Sequence, residues 1–208
     1  YHADRVEKLL HWRYDPRRVR VLYNPTYLWA DNLFSCWVAR GEMAEDFVLL
    51  NGDTLFEAAV LKRLLDAPVQ PITVATNQKK YYDADDMKVA LEGDRLVKIG
   101  KDLDADNVDG ESIGMILFRG EGPALFCHVV ETALSDPSAS KKWYLSVIDE
   151  MTRSLPVQTC SAQGLQWCEV DFPVDLKQAH RVVQACSIDE KSDEYPDSVY
   201  SRNRYAWG

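Results

Sequence analysis

An α/β fold is the class this sequence predicts: a three-layer α/β/α sandwich with a mixed, mostly parallel sheet and helices on both faces. Three observations carry it. Phe47-Val-Leu-Leu50 and Ile72-Thr-Val-Ala-Thr76 are short, unbroken apolar or β-branched runs, as expected of strands buried on both faces. Up to residue 76 such runs alternate with helical patterns in the order αβαβαβ, which implies a largely parallel sheet covered by helices. Beyond that point Met87–Leu91 and Arg95–Ile99 flank Glu92-Gly-Asp94 and read as a hairpin, which makes the sheet mixed.

Taken in order, Asp4 to Trp12 places Val6, Leu9 and Leu10 at helical spacing behind a capping acid. Val19 to Tyr23 alternates like a strand, and Asn24-Pro-Thr26 breaks the chain. Asn32 to Arg40 gathers Leu33, Phe34, Trp37 and Val38 on one helical face, with Gly41 as a stop. The strand Phe47–Leu50 follows. A helix over about Leu55–Leu65 ends before Pro68, and the strand Ile72–Thr76 and the hairpin come next. Ser112–Phe118 is a further strand, and Leu125–Leu134 and Trp143–Met151 are helical. Val157–Cys160 and Trp167–Val170 are short strands, and Pro173–Ala185 is a helix with proline in its first turn. Residues 1–186 therefore form one domain, and 187–208 form a polar tail without a period.

Composition narrows the function classes. Hydrophobic residues at 46% and charged residues at 27% are ordinary for a soluble globular domain of 208 residues. A net charge of −9 disfavours a general nucleic-acid binder. No apolar run approaches the length of a membrane span. The cysteines at 36, 127, 160, 168 and 186 are odd in number and lack C-x-x-C spacing, which argues against a disulfide framework and a zinc site. Reduced cysteines fit a cytoplasmic protein. The scattered histidines form no metal pair.

The residue with the clearest chemical placement is Asp53. Phe47-Val-Leu-Leu-Asn-Gly-Asp53 runs a buried strand into a turn that ends in an acid, where open α/β sheets bind ligands. A carboxylate there suits a hard cation such as Mg2+, or else caps the next helix through an Asx turn.

Several segments in a fixed order resemble the nucleotidyltransferase superfamily, with its nucleotide-diphospho-sugar transferase-like fold. They are Asn24-Pro-Thr-Tyr-Leu-Trp-Ala-Asp-Asn-Leu-Phe-Ser35, Leu49-Leu-Asn-Gly-Asp-Thr-Leu-Phe56, Met87-Lys-Val-Ala-Leu91, Ile99-Gly-Lys101, Glu111-Ser-Ile-Gly114 and Trp167-Cys-Glu-Val-Asp171. The branch most resembled joins bacterial choline-phosphate cytidylyltransferases and sugar-phosphate nucleotidyltransferases. The resemblance implies transfer of a nucleotidyl group from a nucleoside triphosphate, most simply CTP, to a phosphocholine-like amino-alcohol phosphate, with release of pyrophosphate. A sugar-1-phosphate acceptor is the neighbouring expectation, and a non-catalytic small-molecule-binding relative is the rival from another class. Homo-oligomerisation is left open.

By the same resemblance, Asp53 and Asp171 hold Mg2+, with Glu169 as an accessory ligand, and Lys101 contacts the acceptor phosphate. Gly114 lets the backbone approach the acceptor, and Asn32 lies by its pocket. Each has a plainer alternative: a helix cap for Asp171 and Asn32, a solvated loop for Lys101, a β-bulge for Gly114. Related sequences often carry Asn before Asn32, where this chain has Asp31. Tyr27, Trp29, Tyr81, Tyr82, Trp143 and Tyr144 are candidates for an aromatic cage around a quaternary ammonium, with Asp31, Asp83, Asp85 and Asp86 adding attraction for a cation. Family members begin with a strand and a glycine-rich loop that cradles the triphosphate through backbone N–H groups. Nothing before Asn24 resembles it, so a preceding segment of about 45–60 residues is expected from βα-unit lengths. Without it the chain is expected to bind nucleotide weakly.

Overall fold

The computed structural model describes residues 2–185, so the expected tail over 187–208 lies outside the described residues, as does Cys186. Helix α1 spans Ala3–Arg13 and α2 Asn32–Ala39. Strand β1 (Phe47–Leu50) leads through a turn to the three-residue β2 (Thr54–Phe56) and helix α3 (Ala58–Leu65). Strand β3 (Ile72–Asn77), the hairpin β4 (Lys88–Glu92) and β5 (Arg95–Gly100), and β6 (Gly110–Phe118) follow. Helices α4 (Gly122–Leu134) and α5 (Tyr144–Met151) precede β7 (Val157–Ser161), β8 (Trp167–Glu169) and helix α6 (Leu176–Ala185).

Six strands form the main sheet in the order β1-β6-β3-β7-β5-β4, and β4 also pairs with the start of β6. The sheet is mixed, but its parallel character is smaller than expected. Strands β1, β3, β4 and β7 run one way, yet only the β3–β7 ladder is parallel among the described residues. The cause is β6, which returns antiparallel between β1 and β3, and the β4–β5 hairpin, which is antiparallel by construction.

The three layers follow from burial. On one face Leu33 of α2, Phe126 of α4 and Ile148 of α5 pack against Ile72, Ile116 and Phe118, with Phe118 stacked on Phe47 and tilted against Phe126, each ring centre 4.6 Å away. On the other face Val60 and Leu64 of α3 meet Ala75, Met115 and Leu117. Alternate residues of β6 therefore feed opposite cores, as the period of a strand requires.

Two expected elements are corrected. Val19–Tyr23 forms no strand: its exposure alternates, but the segment joins no ladder among the described residues. The expected helix from about Leu55 begins instead at Ala58, because Thr54–Phe56 pairs with Glu169–Trp167 as a separate two-stranded ribbon. Helix α6 covers that ribbon, with Ala179 and Val182 against Cys168 and Leu55. Among the described residues no helix is long and apolar enough to cross a membrane.

Candidate active site

The β2–β8 ribbon positions the acids. Beyond its last rung, the Val170 N–H donates to the Asp53 carbonyl at 3.0 Å, which sets Asp53 beside the residue before Asp171. The Asn51 N–H donates to the Gly114 carbonyl at 2.8 Å, and the Thr54 hydroxyl donates to the Ile113 carbonyl at 3.3 Å. The turn carrying Asp53 is thus tied to β6 on both sides. Asp53, Glu169 and Asp171 all border one cleft of about 770 Å³. Burial, and then the carboxylates of Asp171 and Asp53, push Glu169 up to about 7. Asp171 is raised as well, first by burial and then by Asp53. The cap read as an alternative for Asp171 falls instead on Phe172, and the carboxylate of Asp175 reaches back to accept from the N–H groups of Asp171 and Phe172 at 3.1 and 2.8 Å.

Oxygen-only donors of this kind suit a hard cation. Mg2+ is commonly held by one or two carboxylates, with water and substrate phosphates completing its shell. Asp53 and Asp171 fit that pattern. Among the described residues no three acids, histidines or cysteines are drawn together enough to enclose an ion on their own.

Lys101 lies directly after β5. Its ammonium sits 4.3 Å from the centre of the Trp143 ring and 3.2 Å from Asp85 Oδ1. Its backbone is held from behind, where the buried Lys88 Nζ donates to the Lys101 carbonyl at 2.8 Å. The Trp143 indole N–H donates to Asp31 Oδ2 at 2.9 Å, which fixes the ring. Asn32 is the first residue of α2 rather than its cap, which is Asp31. Its side-chain oxygen accepts from the Tyr144 N–H at 2.8 Å and so joins the starts of α2 and α5. The Tyr144 hydroxyl donates to Asn51 Oδ1 at 2.8 Å. Burial, then Cys36, Glu169 and Asp53, raise that hydroxyl well above its ordinary range, so it stays a donor.

Gly114 has φ +70°, and an added Cβ would lie 2.5 Å from Asn51 Nδ2. It sits where the β3–β6 register shifts, between Val74–Ile116 and Thr76–Ser112. The β-bulge reading therefore describes it, and it also borders the cleft.

The cleft gathers Asp53, Asp171, Glu169, Lys101, Asn32, Gly114, Trp143 and Tyr144. It does not include Tyr27, which lies in the surface turn after Asn24, where Asn24 Oδ1 accepts from the Thr26 N–H at 2.9 Å. Trp29 and Tyr81 are also outside it and exposed, at 73% and 76%. The six aromatics expected around a cation are thus not assembled, and a face of Trp143 is taken by Lys101. Trp167, Phe172, Lys79 and Glu111 border the cleft without having been assigned there from sequence. Trp167 and Glu111 open two of the quoted family segments, and that was the available signal.

The fold is shared with nucleotidyltransferases of known structure. The inositol-1-phosphate CTP transferase of T. maritima superposes with a TM-score of 0.70 at 20% identity, covering 88% of this chain and 72% of that one. The CTP:phosphocholine cytidylyltransferase of Streptococcus pneumoniae superposes with a TM-score of 0.66 at 12% identity, covering 86% and 75%. In sequence, proteins named bifunctional IPC transferase and DIPP synthase from Aquifex aeolicus and Rubrobacter xylanophilus are 24% and 28% identical over 168 residues, 79% of this chain. The chain spans only about a third of their length, 35% and 36%. No family model matches the sequence.

Proposed function

We propose that this chain carries Mg2+-dependent cytidylyl transfer from CTP to the phosphate of a small phosphorylated alcohol, with release of pyrophosphate. The observation that carries the reading is a single cleft bordered by the paired acids Asp53 and Asp171 and by Lys101. An acceptor phosphate oxygen attacks the α-phosphorus, the new P–O bond forms, and the bond to the β-phosphate oxygen breaks in line. No protein nucleophile is needed, so the protein contributes positioning and charge stabilisation. Mg2+, when bound by Asp53 and Asp171, neutralises phosphate charge and orients the leaving group. Lys101 supplies a point charge to the acceptor phosphate, a role that tolerates variable geometry. Its contact with Asp85 is solvent-facing and cheap to exchange for phosphate.

A polyol phosphate such as inositol-1-phosphate is the acceptor favoured here. The names of the two sequence relatives and of the T. maritima structure support it, and so does the occupied face of Trp143. Phosphocholine is the second reading, supported by the excess of carboxylates over the lysines Lys79 and Lys101 along the cleft and by the S. pneumoniae structure. Pyrophosphate release across a grid of nucleoside triphosphates and of inositol-1-phosphate, phosphocholine and sugar-1-phosphates decides between them. CTP with inositol-1-phosphate is expected to give the fastest release. Preference for a different nucleotide would overturn the donor assignment.

Lys101→Ala is expected to weaken use of the acceptor and spare the nucleotide. Losing a charge-assisted phosphate contact costs about 1.5–3 kcal/mol, roughly 10- to 150-fold in acceptor kcat/KM. A fall in nucleotide affinity with unchanged acceptor kinetics would assign Lys101 to the other substrate.

A further inference from the structure

We propose that Glu111 and Lys79 read the acceptor's hydroxyls, the Glu111 carboxylate accepting from one hydroxyl and the Lys79 ammonium donating to its neighbour. The proposal rests on the reading of the cleft as an acceptor site and names the chemistry of that acceptor: adjacent hydroxyls beside a phosphate.

Glu111 stands where three strands meet, opposite Asn77 of β3 on one side and Lys88 of β4 on the other. Its side chain is only 6% exposed, yet it borders the cleft. Glu111 Oε2 lies 2.8 Å from Lys79 Nζ, which also reaches Asp86 Oδ1 at 2.7 Å. Burying a carboxylate costs several kcal/mol even when it is paired. A tether for the loop between β3 and β4 needs no such burial, since an exposed pair would serve. Lys79 has three donors and these two partners use two of them, while a carboxylate offers about four lone-pair positions. The pair therefore keeps an acceptor and a donor side by side, which matches two neighbouring hydroxyls.

The placement relative to the phosphate lysine is built in. Lys88, paired across from Glu111, donates from Nζ to the Lys101 carbonyl at 2.8 Å. One strand, β4, thus links the hydroxyl-reading pair to the residue assigned to the acceptor phosphate.

Two phosphates that share a ring and a charge separate this from a structural role. Calorimetric titration of the full 208-residue chain with inositol-1-phosphate and with cyclohexyl phosphate, with and without CMP and Mg2+, is the experiment. The chain is expected to bind inositol-1-phosphate about tenfold or more tightly than cyclohexyl phosphate. Glu111→Gln and Lys79→Met should each remove most of that preference and leave cyclohexyl phosphate affinity unchanged. Equal affinity of the unmodified chain for the two phosphates, or equal weakening of both by the two variants, would overturn the proposal while leaving the acceptor site in place. Lack of binding by either phosphate, or binding of both that is indifferent to Lys101→Ala, would overturn the acceptor reading itself and this proposal with it. Lys79→Met keeps the test open if Glu111→Gln does not fold.

Discussion

Asp53→Asn and Asp171→Asn are each expected to lower Mg2+-dependent turnover by about a hundredfold or more, the scale of several kcal/mol that a metal supplies to phosphoryl chemistry. The change keeps side-chain size and removes the ligand charge. Backbone support survives, because the Val170 N–H bonds the Asp53 carbonyl and not its carboxylate. Three carboxylates crowd this corner, and Glu169 is raised by burial and by both neighbours. Neutralising one relieves repulsion, so the thermal midpoint of the metal-free variants should stay level or rise. Turnover and thermal melts on the same preparations check both halves. A well-folded Asp53→Asn protein with near-normal turnover would remove Asp53 from the metal site.

Gly114→Val should cost far more stability than Gly93→Val. Both glycines have positive φ, +70° and +63°, so each valine pays for a left-handed backbone, about 1–2 kcal/mol. Nothing lies within 4 Å of an added Cβ at Gly93, whereas at Gly114 it meets Asn51 at 2.5 Å. Overpacking adds about 1–3 kcal/mol, for a total near 2–5 kcal/mol. Asn51 also receives the Tyr144 hydroxyl, so the cleft should lose shape along with stability. Urea midpoints of the two variants give the comparison. Equal losses would show that Asn51 yields freely and that backbone conformation alone fixes Gly114.

Local pattern revealed what local energetics decide. The apolar run at Phe47–Leu50, the Glu92-Gly-Asp94 turn and the amphipathic α5 are each specified within a few residues, and the structure has all of them. What escaped depends on distant partners. Val19–Tyr23 alternates as a strand does, but alternation supplies no neighbouring edge to bond with. Thr54–Phe56 is too short to read by period, and only pairing with Trp167–Glu169 makes it a strand. The lining of the cleft divides in the same way. Asp53 could be placed from the strand before it, and Lys101 and Asp171 from the resemblance. The Lys79–Glu111 pair joins two elements whose contact no spacing announces. The aromatic cage failed for a related reason: composition can count rings, but it cannot say that Lys101 will lie over Trp143.

The two-stranded ribbon β2–β8 has a consequence for when this site comes into being. Its second strand is made long after its first, so Asp53 waits for Asp171 while β1, β3 and β6 can already pair. Closure entropy grows only slowly with loop length, so the delay comes from the order in which the strands are made. The two acids are therefore brought to one cleft late on the folding path. A ribosome-bound chain halted before Trp167 would hold most of its sheet and still lack the ribbon that sets Asp53 beside Val170. On the proposed assignment of Asp53 and Asp171 to Mg2+, recovery of the two-acid site during refolding would trail recovery of the core, and metal binding would report the final closure of the fold.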